Sequence, residues 1–356
     1  MRVVLAGGGT TGHIAPMLAT ADALTRVDPA GTITCVGTAS GLEATLVPQA
    51  GRDLRLVAAV PLPRRPSKDL VTLPIRLGRA VRQATAILRD VRAEVVAGFG
   101  GYASLPVYLA ARRLRVPVVV HEANAVPGLA NRVAARFATT VCVTFANTGL
   151  PRQVVTGMPV NGSVTAAAES RAQARAGFGL PADGPVLLAS GGSQGARHLN
   201  EALLGALPRL TAAGIAVLHV TGRKNADQAA SPQPGYVPVP YVDRMDLAYA
   251  AADLMLGRAG AATVCETALA GLPVVFVPLP HGNGEQAKNA AGAVAAGAGL
   301  LIPDADLDPG RLADTVIGLV TEPGRLARMG EAARGLGVPD GADRVAGAIL
   351  AAGEGR

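Results

Sequence analysis

Val3-Val4-Leu5-Ala6-Gly7-Gly8-Gly9-Thr10-Thr11-Gly12-His13 is the stretch that decides the fold. Its apolar first part predicts a buried strand, its glycines a tight turn, and the residues from Thr10 onward a helix start. Val186-Leu187-Leu188-Ala189-Ser190-Gly191-Gly192-Ser193-Gln194-Gly195-Ala196-Arg197 repeats this order in the second half. Where a strand turns into a helix through glycines, backbone amides and the helix dipole converge on a spot that favours an anion. One such cradle per half predicts sites for two phosphorylated molecules, and so group transfer between them.

Outward from these loops, short apolar runs alternate with helical patterns. Val3–Ala6, Ile33–Val36, Glu94–Ala97, Val118–Val120 and Thr140–Val143 read as one series of strands. Val186–Ala189, Ala216–Val220, Tyr236–Tyr241, Leu254–Leu256, Val274–Val277 and Gly299–Ile302 read as a second. Near-continuous apolar strands between helices predict parallel sheets covered on both faces, an α/β fold of two Rossmann-like doubly wound domains. Such sheets bind ligands beyond the carboxyl ends of their strands, so the two sites are expected on a shared cleft. Thr156–Val164, with Gly157, Pro159 and Gly162, reads as the interdomain linker. The expected domains are 1–158 and 159–338, followed by a terminal helix over 339–356 that packs back on the first. Asp308 before Pro309 reads as a helix cap.

A chain of 356 residues is long for one core, in keeping with two domains. Aromatic residues make up 3% with no Trp, which argues against a stacking platform for nucleic acid. The net charge of +7 allows nucleic acid, an anionic membrane or phosphorylated substrates as partners. Cys35, Cys142 and Cys265 are far apart in sequence and form no CxxC pair, so neither a disulfide framework nor a metal site is expected. The apolar run after Arg2 breaks at Gly7, and no uncharged run approaches the roughly 18 residues of a spanning helix. A cytoplasmic protein, at most peripheral on the inner face of the membrane, is the expectation.

Gly7, Gly9 and Gly12 formally match GxGxxG, yet the next strand ends Val36-Gly37-Thr38 without the carboxylate that a dinucleotide ribose needs. His13, just inside the helix beside the cradle, reads either as a helix-start histidine with a local hydrogen bond or as a general base. Gly98-Phe99-Gly100-Gly101-Tyr102 exposes backbone after another strand. His121-Glu122-Ala123-Asn124 puts polar side chains at a strand end, as turn residues or as lining of the same site. In the second half Glu266 follows Arg258-Ala259-Gly260-Ala261-Ala262-Thr263. It reads as a helix-dipole partner or as a carboxylate accepting from a ribose diol. His281-Gly282-Asn283-Gly284-Glu285-Gln286 offers a polar loop for sugar hydroxyls. Asp304-Ala305-Asp306, a formal DxD, reads as a solvated loop.

Between Arg52 and Arg92 lie ten basic residues against three acids. Leu77, Val81, Leu88 and Val91 follow at helical spacing and suit a solvated helix packed by one stripe. That stripe leaves Leu70, Leu73 and Ile75 unexplained beside Arg64, Arg65, Lys68, Arg76 and Arg79. An interfacial patch facing anionic lipid accounts for them.

The segments GGGTTGH (7–13), FGGYASLP (99–106), HEANAVPGLANR (121–132), GGSQGARHLN (191–200), GRAGAATVCETALAGLPVVFVPLP (257–280) and HGNGEQAKNA (281–290) lie in a fixed order along nearly the whole chain. Together they resemble the MurG family of GT-B glycosyltransferases, family 28, in its actinobacterial style. The resemblance implies transfer of GlcNAc from UDP-GlcNAc to lipid I, giving lipid II for peptidoglycan, cell-wall growth and division. It implies an N-terminal domain for the lipid-linked acceptor and a C-terminal domain for the nucleotide sugar. His13 is then the candidate base for the MurNAc 4-hydroxyl. Gly9, Thr10, Gly100, Gly101, Tyr102, His121 and Glu122 fall on the acceptor diphosphate side. Donor contacts fall on Thr11, Gly12, Asn124, Ser193, Gln194, Gly195, Val242, Met245, Ala261, Ala262, Thr263, Glu266, Glu285 and Gln286. Glu266 is set against the ribose hydroxyls, and Val242 and Met245 lie near uracil.

No cofactor and no metal are implied. Implied partners are UDP-GlcNAc, lipid I, the anionic inner-membrane surface and cell-wall synthesis or division proteins. The chain departs from the family at Asn161, where an arginine on the donor side is usual. Glu285 and Ala287 also differ from the proteobacterial form. A related glycosyltransferase for another acceptor, a non-catalytic nucleotide-binding protein and a sugar-nucleotide 2-epimerase are the rival readings.

Overall fold

The computed structural model describes residues 1–61, 69–160, 162, 171–192, 195–228, 231–280 and 283–355. The chain divides into one unit of Met1–Asn161 with Pro339–Arg356 and another of Gly162–Val338.

The first unit is built on a parallel sheet of β1 (Arg2–Ala6), β2 (Thr32–Gly37), β3 (Asp53–Leu56), β4 (Val95–Gly98), β5 (Val118–Glu122), β6 (Thr140–Val143) and β7 (Gln153–Val155). The strand order is β3-β2-β1-β4-β5-β6-β7. Alternate side chains of β1 enter opposite layers, as the period of two in a strand demands. Val4 and Ala6 pack with Val96, Val107 and Tyr108. Val3 and Leu5 pack with Ile14 and Met17. The helices are α1 (Thr11–Val27), α2 (Glu43–Gln49), α3 (Asp69–Asp90), α4 (Ser104–Leu114) and α5 (Leu129–Ala134).

The second unit runs α6 (Arg171–Phe178), β8 (Val186–Ser190), α7 (Arg197–Ala212), β9 (Ala216–Val220), β10 (Tyr236–Val239), α8 (Met245–Ala251), β11 (Leu254–Gly257), α9 (Ala261–Ala270), β12 (Val274–Phe276), α10 (Glu285–Ala295), β13 (Gly299–Leu301), α11 (Pro309–Thr321) and α12 (Arg325–Arg334). Its parallel sheet has the order β10-β9-β8-β11-β12-β13. The chain then returns to the first unit as α13 (Gly341–Glu354), whose Val345, Ala346 and Ile349 join the layer around Leu5 and Ile14.

In each sheet the strand order reverses beside the strand that carries a glycine loop, between β1 and β4 and between β8 and β11. The crevice outside the strand ends at such a point is where doubly wound sheets bind ligands. The topology therefore groups the loops after β1 and β4, and separately those after β8 and β11.

The sequence pattern missed β3 and β7. Both are edge strands with mostly exposed residues, so neither needs an apolar run. The expected linker at Thr156–Val164 is also corrected in its first part. The amides of Thr156 and Gly157 bond the Val143 carbonyl, and Met158 and Val160 are buried, so this stretch packs with the first unit. The Asp308 cap is formed: its carboxylate accepts from the Arg311 amide at 2.9 Å, with Pro309 following.

Candidate active site

The β1–α1 loop is held by its own strand neighbours. The Gly7 amide bonds the Val36 carbonyl at 3.2 Å. Gly9 has φ +90°, open to glycine and strained for other residues. Gly101, on the loop after β4, passes so close that an added methyl would strike the Gly8 carbonyl. Ser104, buried at the start of α4, ties the two loops together. Its hydroxyl lies 3.0 Å from the Ala6 carbonyl and 2.7 Å from the Gly100 carbonyl.

His13 sits in the first turn of α1. Its Nδ1 lies 3.1 Å from the Gly8 carbonyl oxygen and 3.2 Å from the Thr10 hydroxyl. A carbonyl can only accept, so Nδ1 carries the hydrogen and Nε2 keeps its lone pair. A methyl at Gly100 would lie 3.2 Å from that Nε2, so the glycine leaves room beside the ring. Burial pulls the His13 pKa below its ordinary 6.5, with the Gly8 carbonyl and the Glu43 charge opposing. The ring is thus neutral at neutral pH, as a base requires.

Glu43 was not singled out from the sequence. It opens α2 and is fully buried beneath the glycine loop. Its Oε2 accepts from the Gly9 amide at 2.8 Å, and its Oε1 from the amide and hydroxyl of Thr38 at 2.8 and 2.7 Å. The first loop is therefore not a simple vacant cradle, because the Gly9 amide already serves an internal anion. An acceptor diphosphate would draw on other groups of that loop.

His121 and Glu122, expected beside the acceptor diphosphate, are both buried. Glu122 accepts from the amides of Asn124 at 2.9 Å and Gly128 at 3.0 Å, and from the Asn131 side chain at 2.9 Å. Burial raises its pKa despite those bonds. It shapes the loop over 123–131 from inside, the turn role that the sequence left open. Asn131 also donates to the His121 carbonyl and accepts from the buried Tyr108 hydroxyl at 2.8 Å. His121 Nε2 faces the Gly157 carbonyl at 3.4 Å, while its Nδ1 has no hydrogen-bond partner among the described residues. Asn124 and Gly101 are partly exposed, and Thr10, Gly12 and Tyr102 are exposed, around the mouth of these loops.

In the second unit Ser193 and Gln194, like His281, Gly282 and Asn161, lie outside the described residues. Gly195 has φ +74° and packs so tightly that a methyl would meet Asn225 and the Thr221 carbonyl. Beneath it runs a buried polar chain. Asn200 donates to Thr221 at 3.0 Å and faces His219 Nε2 at 3.1 Å, and His219 Nδ1 meets the Tyr236 hydroxyl at 2.9 Å. Burial lowers the His219 pKa to about 4, so it is an internal neutral histidine.

Glu266 lies in the second turn of α9, whose N-terminus is Ala261, Ala262 and Thr263. Its Oε2 accepts from the Tyr249 hydroxyl at 2.7 Å, a partner on α8 that no sequence signal revealed. Burial raises the Glu266 pKa, with the tyrosine hydroxyl opposing. Val242 and Met245, both half-buried, flank the start of the same α8. Glu285 and Gln286 begin α10, and Gln286 Oε1 is engaged by the Leu279 amide at 2.9 Å.

The DxD segment is corrected. Asp304 is no solvated side chain: it pairs with buried Arg258 and with His198 Nδ1 at 3.1 Å. Burial pushes its pKa up, but Arg258 and His198 outweigh this and hold it below the ordinary value. Arg258 also donates to the Val277 and Pro278 carbonyls at 3.1 and 3.2 Å. Asp304 thus braces the loop before α9 against the first turn of α7. Asp306 remains half-exposed.

Of the basic patch, Arg64, Arg65 and Lys68 lie outside the described residues, as does the Leu70 side chain. Ile75 is 75% exposed, Arg79 is exposed, and Leu73 and Arg76 are half-buried. Leu77, Val81 and Leu109 line a groove of about 690 Å³ between α3 and α4, flanked by Arg82, Arg89 and Arg113. No described helix is long and apolar enough to cross a membrane.

A glycosyltransferase family 28 N-terminal domain model matches residues 3–143, and the C-terminal domain model of that family matches residues 186–345. The chain is 55% identical to the UDP-N-acetylglucosamine–N-acetylmuramyl-(pentapeptide) pyrophosphoryl-undecaprenol N-acetylglucosamine transferase of Mycobacterium avium, over 98% of this chain and 88% of that protein. The chain belongs to glycosyltransferase family 28. This family 28 chain is also 53% identical to the transferase of the same name from Nocardia farcinica, over 97% of this chain and 94% of that one. Among solved structures, Acinetobacter baumannii MurG resembles it with a TM-score of 0.79 at 29% identity, covering 98% of this chain and 99% of the other. The family 28 fold is GT-B, with its two doubly wound parallel sheets.

Proposed function

We infer that this family 28 chain transfers GlcNAc from UDP-GlcNAc to the 4-hydroxyl of MurNAc in lipid I, giving lipid II. The observation that carries the chemistry is His13, with its hydrogen fixed on Nδ1 by Gly8 and Nε2 left to accept. The acceptor binds the N-terminal unit around Thr10, Gly100, Gly101 and Tyr102. The donor binds the C-terminal unit, its diphosphate at the N-termini of α7 and α9 and its ribose hydroxyls on Glu266. Tyr249 holds one Glu266 oxygen and leaves Oε1 for the diol.

In the reaction the MurNAc O4 attacks the anomeric carbon of GlcNAc, and the bond from that carbon to the UDP phosphate oxygen breaks. The hydroxyl proton passes to His13 Nε2. The electron pair leaves with UDP, whose charge is stabilised by helix N-termini fixed beforehand. No metal ion is needed for these steps. The groove between α3 and α4, with exposed Ile75 and its arginines, docks the enzyme on an anionic membrane surface, where the acceptor resides.

UDP release measured with a panel of sugar nucleotides, with and without lipid I, tests this reading. Release only with UDP-GlcNAc and lipid I together supports it. Preference for another sugar nucleotide, which Asn161 makes worth testing, or conversion of UDP-GlcNAc without acceptor, overturns it.

A further inference from the structure

Glu43 is an acid with no place in the reaction, yet the chain is shaped around it. An added methyl at Gly8, Gly37 or Gly41 would run into its side chain. These glycines lie on the β1–α1 loop, at the end of β2 and just before α2, so separate pieces of backbone leave room for one carboxylate. Both of its oxygens are engaged, Oε2 by the Gly9 amide and Oε1 by the amide and hydroxyl of Thr38. Burying an ionised carboxylate is costly unless it is hydrogen-bonded. Here burial pushes its pKa up, but the bonds from Gly9 and Thr38 outweigh that and hold it below the ordinary value. The site is built for the charged form.

From this carboxylate a short path leads to the reacting group. Glu43 holds the amide of Gly9, the preceding residue Gly8 presents its carbonyl to His13 Nδ1, and Nε2 on the far side of the ring is left to react. We propose that Glu43 is the positioning residue of the first glycine loop, fixing the Gly8 carbonyl that sets the His13 tautomer and supplying the negative charge that supports the imidazolium. The inference rests on the reading of His13 as the base. The other titratable group facing His13 among the described residues is His121 on β5. Burial lowers the His121 pKa to about 4, so it is neutral and supplies no charge of either sign. The Thr10 hydroxyl and Gly100 also lie beside the ring.

Glu43→Gln keeps the shape but offers a single acceptor oxygen, so it cannot serve the amides of both Gly9 and Thr38. Glu43→Asp keeps the charge but is too short to reach both. In the full-length protein, the His13 titration midpoint is read by NMR with labelled histidine and assigned with His13→Ala. It should move down by about half to one pH unit in Glu43→Gln, and down by less in Glu43→Asp, which keeps the charge but loosens the Gly8 carbonyl. Both variants should lose kcat by about 10- to 100-fold, with KM for UDP-GlcNAc within about twofold of wild type. An unmoved His13 midpoint in folded Glu43→Gln overturns the proposal. If that variant does not fold, wild-type kcat in Glu43→Asp overturns it instead. Should the midpoint move while His13→Ala keeps its kcat, the base reading fails and the positioning role stands.

Discussion

At His13 the chemistry depends on which ring nitrogen holds the hydrogen. Gly8 settles this through backbone, so the side chain needs no carboxylate partner of its own to fix its tautomer. His13→Ala should lower kcat by about 10²- to 10⁴-fold, the usual worth of a positioned base, while UDP affinity by calorimetry stays within about twofold. Wild-type turnover in that variant would remove His13 from the mechanism. Because the base works only when neutral and its pKa lies below 6.5, kcat/KM should fall on the acid side with a midpoint below pH 6.5. A limb above pH 7 would point to another group. The places of His13 and Glu266 at the starts of helices were legible in the sequence because each follows a strand and a small-residue loop within a few positions. Glu43, Tyr249 and Asp304 were not, since their partners come from other elements and only folding brings them together. Glu122 was left between a turn role and a lining role, and Asp304 read as solvated; folding engages the oxygens of both inside their units.

Among the elements, the buried strands were legible because a parallel strand covered on both faces must be apolar along its length. β3 and β7 lie at the edges of the first sheet and are mostly exposed, so their composition gave no comparable signal. α3 shows both patterns on one helix. Ala84 and Leu88 are buried in the core, while Ile75 near the helix start is exposed among arginines. Burial of one isoleucine in a lipid interface is worth about 1.5–3 kcal/mol. Ile75→Glu should therefore weaken binding to vesicles containing phosphatidylglycerol by about 10-fold or more, with thermal stability unchanged. Equal binding by the variant, or binding of wild type to neutral vesicles alone, would contradict the docking role of this face.

Across the whole molecule, each unit carries a histidine buried in its neutral form, His121 in the first and His219 in the second. Both have a folded pKa of about 4, below the ordinary 6.5 of an unfolded chain. The neutral form is the one that folding favours, so this stability is fully present above about pH 6.5 and is lost as pH falls towards 4. Each histidine should contribute about 3 kcal/mol to that loss. Urea unfolding followed from pH 7 to 4 should show a steep decline, shallower in His219→Gln. A flat profile over that range would contradict the buried neutral assignments. The two-sheet architecture as a whole was legible because its opening segment occurs twice, each time ahead of the same succession of strands and helices.

The reaction is a single inverting displacement of UDP by the MurNAc 4-hydroxyl. It is tested most directly by NMR of the glycosylated lipid formed from UDP-GlcNAc and lipid I. Because the donor sugar is α-linked to its phosphate, inversion should give a β-1,4-linked GlcNAc, with one UDP released per linkage made. An α linkage, or UDP release without a new glycosidic bond, would contradict it.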